Sequence, residues 1–375
     1  MRDEILCLHQ SSELYGSDRS FLTAIESISV KKRIYCILPF LGDLSPLVNS
    51  MGAEIEYYPY GILRKQKLKK PFSYSMELIK ATLYYAKKYK AFNAIYINTT
   101  VMLSALVAAG FYRFSKKSFF CHIREIPDKK LIGIFRLLLR FSGAKLIFNS
   151  EATKSAFNLP GSVIYNGVAP LYNVPSLRTE RDCKNLLLIG RINTWKGQDF
   201  FIDVIGKLAN NARNDFRVRI VGSPFEGYEY LEKDLIEKVK SYGISDNVEF
   251  FPFCSDPTEH FQWASYVVVP STKPEPFGRV AIEAYSVGKP VIAAGHGGLV
   301  EIVNHEKDGF LFIPANQSSL EDVLLGLPSP GSPLYEKLSK CALDTYYKKF
   351  SIKSYKKNIV SILETSVKSS STLFR

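Results

Sequence analysis

Two glutamates lie close together in residues 274–303, PEPFGRVAIEAYSVGKPVIAAGHGGLVEIV. Glu275 falls in a loop after the apolar run YVVVP, and Gly278 opens a predicted helix that carries Glu283 about one and a half turns inside it. Backbone amides at the start of a helix suit phosphate because the helix dipole is positive there. Glu275 could accept hydrogen bonds from sugar hydroxyls, and Glu283 could bind a ribose diol. The amides in question are those of Phe277, Gly278 and Arg279.

The elements that must position these groups follow an alternating pattern. Short β-branched runs alternate with amphipathic segments, once before residue 168 and again after residue 184. This succession predicts an α/β fold with two doubly wound, largely parallel sheets, in tandem Rossmann-like domains that face a central cleft. The polar, proline-containing run 168–184 predicts the boundary between them. We predict domains over 1–170 and 171–345, and a C-terminal helix and tail over 346–375 that crosses back to the first domain.

The spacing of the two glutamates carries a family resemblance. Glu275 and Glu283 enclose seven residues, and GKPVIA and a Gly-Gly pair follow them. This stretch resembles the E-x7-E signature of the retaining glycosyltransferases of GT-B architecture, glycosyltransferase family 4 (the group 1 glycosyltransferases). The resemblance implies transfer of a sugar from a nucleotide-diphosphate donor with retention of anomeric configuration. It also implies no metal and no cofactor, since the nucleotide sugar, of UDP or GDP type, is itself a substrate.

A second element, in LLLIGRINTWKGQDFF, resembles the family's G-R-x(n)-K-G turn. It contains Gly190, Arg191 and Lys196. The resemblance implies that Arg191 and Lys196 neutralise the donor diphosphate, which gains negative charge as it departs. Taken without the family, they read as two surface cations at a strand-to-helix turn.

Three positions before residue 170 resemble family features near the cleft. Gly16 stands in the loop after the first strand, where the family usually has two adjacent glycines and this chain has Tyr15-Gly16. Asn166 belongs to an Asn-Gly-Val element, and His122, after an apolar strand, matches a histidine thought to touch the donor sugar. Beside it, Arg124-Glu125 is either an acceptor-facing pair or a plain salt bridge.

Several chemistries lack their motifs. The chain contains no D-x-D pair, which the metal-dependent glycosyltransferase architecture uses to hold the diphosphate. It contains no G-x-G-x-x-G after the first strand and no G-x-x-x-x-G-K. Hydride transfer and phosphoryl transfer are therefore disfavoured.

The net charge of +13 is unevenly distributed. Residues 1–180 hold 25 basic and 13 acidic side chains, whereas residues 181–375 hold 24 and 23. Much of the surplus lies in segments 64–90 and 129–140, where cations mix with tyrosines and leucines. Basic amphipathic helices bind anionic bilayers, so we predict an anionic membrane surface as a partner and no nucleic acid. The alternative is a solvated helix face.

The location follows from two further patterns. Six scattered cysteines without a C-x-x-C pair indicate reduced thiols, and the N-terminus has no signal-peptide core. The uncharged run 91–112 divides into a strand, a turn and a short helix, rather than one membrane span. We predict a cytoplasmic protein, peripheral to the inner face of the membrane.

The sequence therefore predicts a hexosyltransferase-type enzyme that acts on a saccharide or a polyprenyl- or lipid-linked acceptor in cell-surface polysaccharide or glycolipid assembly. One alternative is a nucleotide-sugar epimerase of the same architecture, which would need acid and base groups such as His122 or Glu125. The other is an inert scaffold that binds membranes or polysaccharides.

Overall fold

The structure is a computed structural model that describes residues 4–64, 67, 69–171, 183–208 and 214–368. The chain divides into two compact units. The first unit comprises Met1–Gly167 and Ile352–Arg375, and the second comprises Val168–Ser351. The sequence predicts boundaries at residues 170 and 345. In the structure the second unit begins at Val168, and the C-terminal segment joins the first unit from Ile352. Most of the predicted linker, residues 172–182, lies outside the described residues.

The first unit is built on a parallel sheet in the order β3-β2-β1-β4-β5-β6-β7. Its strands are β1 (Glu4–Leu8), β2 (Arg33–Leu38), β3 (Glu54–Tyr57), β4 (Ala94–Asn98), β5 (Ser118–Ile123), β6 (Lys145–Phe148) and β7 (Ser162–Val163). Its helices are α1 (Gly16–Ser29), α2 (Leu44–Ser50), α3 (Pro71–Tyr89), α4 (Leu103–Phe111), α5 (Lys129–Ser142), α6 (Glu151–Phe157) and, at the C-terminal end, α14 (Ile352–Lys368).

Both faces of this sheet are covered, which is why its central strands β1, β4 and β5 are largely apolar and buried. Alternate residues of β1 point to opposite faces: Leu6 and Leu8 join the core under α3, α4 and α5, and Cys7 joins the core under α1 and α14. Helix α14 contributes Tyr355 and Ile359 to the second of these cores. The C-terminal helix is therefore part of the first unit's hydrophobic core.

The second unit has its own parallel sheet, in the order β10-β9-β8-β11-β12-β13. The strands are β8 (Lys184–Ile189), β9 (Phe216–Val221), β10 (Val248–Phe251), β11 (Tyr266–Val269), β12 (Val291–Ala294) and β13 (Gly309–Phe312). The described helices are α7 (Gln198–Lys207), α8 (Tyr230–Ser241), α9 (Thr258–Trp263), α10 (Arg279–Ser286), α11 (Leu299–Ile302), α12 (Gln317–Leu325), α13 (Pro333–Thr345) and a π-helix (Tyr346–Phe350).

Strand order reverses at one point in each sheet, between β1 and β4 in the first and between β8 and β11 in the second. In open α/β sheets, ligands bind outside the carboxyl ends of the strands at this reversal. The predicted site residues of the second unit all lie in the turns or helix beside its reversal point. Among the described helices, none is long and apolar enough to cross a bilayer.

Candidate active site

The turn between β8 and α7 is held in a fixed shape by its own residues. The Asn193 side-chain oxygen accepts hydrogen bonds from the backbone N–H groups of Trp195 (3.0 Å) and Lys196 (2.9 Å). Gly197 follows with φ +84°, and a Cβ there would lie 2.0 Å from the carbonyl oxygen of Pro270, just after β11. Only glycine fits this position, so the turn after β8 packs directly against the chain leaving β11.

An ion pair joins the two turns at the reversal point. Lys196 Nζ lies 2.7 Å from Glu275 Oε1, and the Ser271 hydroxyl donates to the same oxygen at 2.6 Å. Glu275 is only 6% exposed, so its carboxylate needs a cation nearby. Lys196 is predicted to contact the diphosphate of the donor and Glu275 its sugar. In the structure these two side chains contact each other, although 79 positions separate them in the sequence.

The loop that carries Glu275 is braced by the Gly-Gly pair after β12. The N–H of Gly298 donates to the Glu275 carbonyl oxygen at 2.8 Å, and the His296 ring nitrogen Nε2 lies 2.8 Å from the Ser271 carbonyl oxygen. A Cβ at Gly297, where φ is +60°, would lie 2.4 Å from the Glu275 carbonyl oxygen. Our sequence reasoning noted the two glycines but gave them no role. They allow this close backbone approach.

Helix α10 begins beside this loop. Gly278 is its N-cap residue with φ +119°, and a Cβ there would lie 2.7 Å from the Leu299 side chain. Phe277 is buried, and its ring centre lies 6.1 Å from that of Phe350. The amides predicted to meet phosphate therefore lie where the sequence puts them, at the start of an eight-residue helix.

The second predicted carboxylate is also paired. Glu283 Oε1 lies 2.8 Å from Arg279 Nε, one turn earlier on α10. Both side chains are less than one-fifth exposed. Arg279 was predicted to contribute a backbone amide, and the structure shows that its guanidinium also orients Glu283.

The remaining predicted cation of the second unit, Arg191, follows β8. Its guanidinium carbon lies 3.6 Å from the ring centre of Phe225, in the loop after β9. The backbones of the two turns that carry Arg191 and Phe225 also approach closely. Position 222 must be glycine for this, because a Cβ at Gly222 would lie 2.0 Å from the Gly190 carbonyl oxygen. Sequence reasoning missed Phe225. The available signal is the position of Phe225 in the sequence. It follows β9, and β9 pairs with β8, the strand that Arg191 follows.

In the first unit, Gly16 is exposed and is the first residue of α1. Tyr15, which replaces the family's other glycine, is the N-cap residue, and its backbone N–H donates to Asp18 Oδ2 at 3.0 Å. Asp18 Oδ1 also lies 2.7 Å from Nε2 of His9, a buried residue just after β1. The loop after the first strand is thus fixed to its helix by a buried histidine–aspartate pair, which the sequence reasoning did not identify.

His122 lies in the interior of the first unit. Its Nδ1 is 2.7 Å from the Tyr96 hydroxyl oxygen, and the side chain is fully buried. Burial and the positive charge of Arg124 hold the pKa of His122 well below its usual value of 6.5. Nε2 is buried and has no hydrogen-bond partner among the residues that the structure describes. His122 is therefore neutral near pH 7, and its contact with a donor sugar stays a prediction.

The structure bears on one interpretation of Arg124-Glu125, the salt bridge between them. The buried Arg124 guanidinium donates to Asn98 Oδ1 at 2.7 Å and to Asn166 Oδ1. Glu125 Oε1 instead accepts the Thr100 backbone N–H at 2.6 Å. The two side chains have different partners and form no salt bridge with each other, so the acceptor-facing role stays a prediction. Asn166, predicted to bind the donor, has its amide oxygen engaged with Arg124.

The buried histidines predict a pH dependence. Burial lowers the pKa of His9 as well as that of His122, so in each case the unfolded chain binds a proton more readily than the folded unit. The free energy of unfolding of the first unit should fall between pH 6.5 and 5, by about 1.4 kcal/mol per pH unit for His122, and His9 should add a smaller loss in the same direction. In His122→Gln the slope of the free energy of unfolding against pH should decrease by the contribution of this one histidine, about 1.4 kcal/mol per pH unit.

Hydrogen exchange of the strand amides of the first unit measures this slope, because the most protected amides report global opening. His305→Gln, at an exposed histidine of the second unit, is the matched control and should keep the wild-type slope. An unchanged slope in His122→Gln would mean that this histidine already carries a proton in the folded unit.

Comparison with known families gives a match within the second unit and the segment before it. Residues 175–342 match the family described as glycosyl transferases group 1. This segment is similar to the glycosyltransferase group 1 domain. It contains Arg191, Lys196, Glu275 and Glu283, which lie beside the reversal of the second sheet. The match favours transfer over the epimerase and scaffold alternatives.

Curated relatives of the glycosyltransferase group 1 domain match only part of the chain. An uncharacterized glycosyltransferase of Methanocaldococcus jannaschii is 32% identical over 214 residues, 52% of this chain and 53% of the relative. A D-inositol 3-phosphate glycosyltransferase of Jonesia denitrificans is 38% identical over 131 residues, 34% of this chain and 30% of the relative. The chain thus spans about half or less of the length of these relatives.

Solved structures match the whole fold. Anabaena HepE in complex with UDP and glucose aligns with a TM-score of 0.78 at 23% identity, over 96% of this chain and 99% of that one. A sucrose-phosphate synthase from Thermosynechococcus elongatus aligns with a TM-score of 0.77 at 18% identity, over 97% and 99%. At these identities the similarity concerns the fold alone. The predicted fold class, two Rossmann-like domains of GT-B type, is confirmed.

Proposed function

We propose that this protein transfers a hexose from a nucleotide-diphosphate donor to a saccharide or lipid-linked acceptor, with retention of configuration and without a metal. The Lys196–Glu275 ion pair carries the proposal, because it places a cation and a buried carboxylate together at the strand reversal of a glycosyltransferase group 1 domain. Relatives with related activities support it: one is a mannosylfructose-phosphate synthase, and HepE has been solved with UDP-glucose.

The departing diphosphate sets the main chemical requirement, since negative charge accumulates on it as the bond to the sugar breaks. Lys196, Arg191 and the amides at the start of α10 would stabilise that charge. Lys196 has three N–H donors, so it can contact phosphate while it keeps Glu275 in place. Glu283, fixed by Arg279, would accept hydrogen bonds from the two ribose hydroxyls.

Glu275 is suited to position the sugar. Its Oε1 already receives hydrogen bonds from Lys196 and Ser271, which fix the orientation of the carboxylate. We therefore assign it to the sugar hydroxyls and not to a covalent intermediate. The acceptor hydroxyl would then attack on the face from which the diphosphate leaves, and the product would retain the donor's anomeric configuration.

A thermal-shift screen of nucleoside diphosphates and nucleotide sugars tests donor binding. A ligand that binds only the folded state raises the melting temperature by mass action. Both tryptophans, Trp195 and Trp263, belong to the second unit, so tryptophan fluorescence follows that unit selectively. At least one uridine or guanosine diphosphate compound should raise the melting temperature. Failure of every nucleotide in the panel would contradict the proposal.

The acceptor side of the proposal includes an anionic membrane. Helix α3 buries Tyr85 and Tyr89 but exposes an apolar stripe at intervals of four, three and four residues. The exposed residues of that stripe are Phe72, Met76, Ile79 and Leu83. Helix α5, which packs on the same side of the sheet, exposes Ile134 and Leu137, and Phe114, just beyond α4, is 97% exposed.

Cations surround these apolar side chains. Exposed Lys80, Lys87, Arg113, Lys116 and Arg140 lie on or beside α3, α4 and α5. Apolar side chains ringed by cations fit the headgroup region of an anionic bilayer. We propose that this surface holds the protein peripherally on the inner face of a cytoplasmic membrane, where a lipid-linked acceptor would be presented.

Ile79→Glu with Leu83→Glu should abolish flotation with vesicles that contain anionic lipid, because it places two carboxylates on the apolar stripe. The wild type should float with anionic vesicles at low salt, float less at 0.5 M salt, and float little with neutral vesicles. Leu334→Glu, at an exposed leucine of the second unit, is the matched control and should float like the wild type. Equal flotation of wild type and double variant would refute the membrane assignment.

A further inference from the structure

The loop after β9 lies against the turn that carries Arg191. The N–H of Ile192 donates to the Ser223 carbonyl oxygen at 3.2 Å, and the Ser223 hydroxyl accepts the Phe253 N–H at 3.0 Å. Residues 223–229, which we call the aromatic loop, therefore span the carboxyl ends of β8, β9 and β10. The loop is fastened at its first residue, next to the cation predicted to meet the donor.

Within the aromatic loop, Phe225 has a position that core packing does not explain. Its ring is 52% exposed, yet one face lies against the Arg191 guanidinium, with 3.6 Å between the guanidinium carbon and the ring centre. Stacking a guanidinium on an aromatic face is favourable, and it restricts the plane in which the N–H donors of the guanidinium point. The ring therefore fixes the plane in which Arg191 can donate.

We infer that Phe225 is a positioning residue that orients the Arg191 guanidinium for the diphosphate of the donor. The inference rests on the proposed function, because it assumes that Arg191 binds a nucleoside diphosphate. A planar fork matches two phosphate oxygens only in a narrow range of orientations, so holding the plane before the ligand arrives favours binding. A different role, stacking on the nucleobase, would use the ring face that Arg191 does not cover.

Binding titrations with UDP and with uridine separate these roles. In Phe225→Leu, which removes the ring and keeps apolar volume, the Kd for UDP should rise about two- to fivefold, and the Kd for uridine should stay unchanged. Phe225→Tyr, which keeps the ring, should bind UDP like the wild type. Tyr228→Leu is the matched control: Tyr228 is 51% exposed in the same loop and its ring contacts Tyr230.

A double-mutant cycle tests whether Phe225 acts through the arginine. In the Arg191→Ala background, Phe225→Leu should cause no further loss of UDP affinity. The inference is overturned if the two losses add, if uridine binding weakens as much as UDP binding, or if Phe225→Leu binds UDP like the wild type. A wild type that binds neither UDP nor GDP would contradict the proposed function itself, whereas normal binding by Phe225→Leu contradicts only this inference.

Discussion

Lys196→Ala is expected to slow sugar transfer about 100- to 1,000-fold, the usual effect of removing a group that stabilises charge in the transition state. The lysine would compensate the departing diphosphate, and it is also the cation beside the nearly buried Glu275 carboxylate. Its loss therefore affects both the leaving group and the residue assigned to the sugar. The turnover number should fall more than the affinity for the donor weakens.

Steady-state transfer rates measure this effect. Lys207→Ala is the matched control, because Lys207 lies at the end of α7, in the same unit, and contacts Gln317 on the surface. That variant should transfer at the wild-type rate. Equal rates in Lys196→Ala and Lys207→Ala would remove Lys196 from the catalytic machinery and would leave the ion pair as a structural contact.

Gly297→Ala is expected to lower the free energy of unfolding of the second unit by about 2–4 kcal/mol. Part of the loss comes from φ +60°, which favours glycine, and the larger part from a Cβ placed 2.4 Å from the Glu275 carbonyl oxygen. Relief of that clash requires the Glu275 loop to move, so the transfer rate should fall too. Urea unfolding followed by tryptophan fluorescence measures the stability change, because both tryptophans lie in this unit.

Gly243→Ala separates the two contributions. Gly243 has φ +64°, but no heavy atom lies within 4 Å of the position that its Cβ would occupy. It should cost only about 1 kcal/mol, from backbone strain, and should leave the transfer rate unchanged. If Gly297→Ala were no more destabilising than Gly243→Ala, that result would contradict the close contact between the glycine pair and the Glu275 loop.

Much of the fold follows from local sequence patterns. The run 91–112 shows this: its β-branched part is strand β4 and its small-residue part is helix α4. The C-terminal segment shows the limit of such patterns. Helical periodicity continues from residue 346 to residue 367, but the chain is extended at Ser351, and the residues on its two sides belong to different units. Periodicity reports which face is apolar, not which core receives it.

The sequence indicates which residues form the candidate site better than it indicates how they are arranged. The glutamate spacing indicates Glu275 and Glu283, since both lie in one loop and helix. The pairing of Lys196 with Glu275 depends on strand order, which places β8 beside β11, and spacing along the chain does not contain that information. For His122, alternation with Phe120 indicates a shared face of β5, but it does not reveal that Tyr96 and Arg124 enclose it there.

Release of nucleoside diphosphate from a nucleotide sugar without acceptor tests the central claim most directly, because it reports cleavage at the proposed site whatever the acceptor is. The substrates are UDP-glucose and a panel of other UDP and GDP sugars, offered to the wild type and to Glu275→Ala. Tryptophan fluorescence confirms that the second unit of each protein is folded. We predict slow release by the wild type with at least one donor and none by Glu275→Ala. Release at the same rate by both proteins would contradict the assignment of the site.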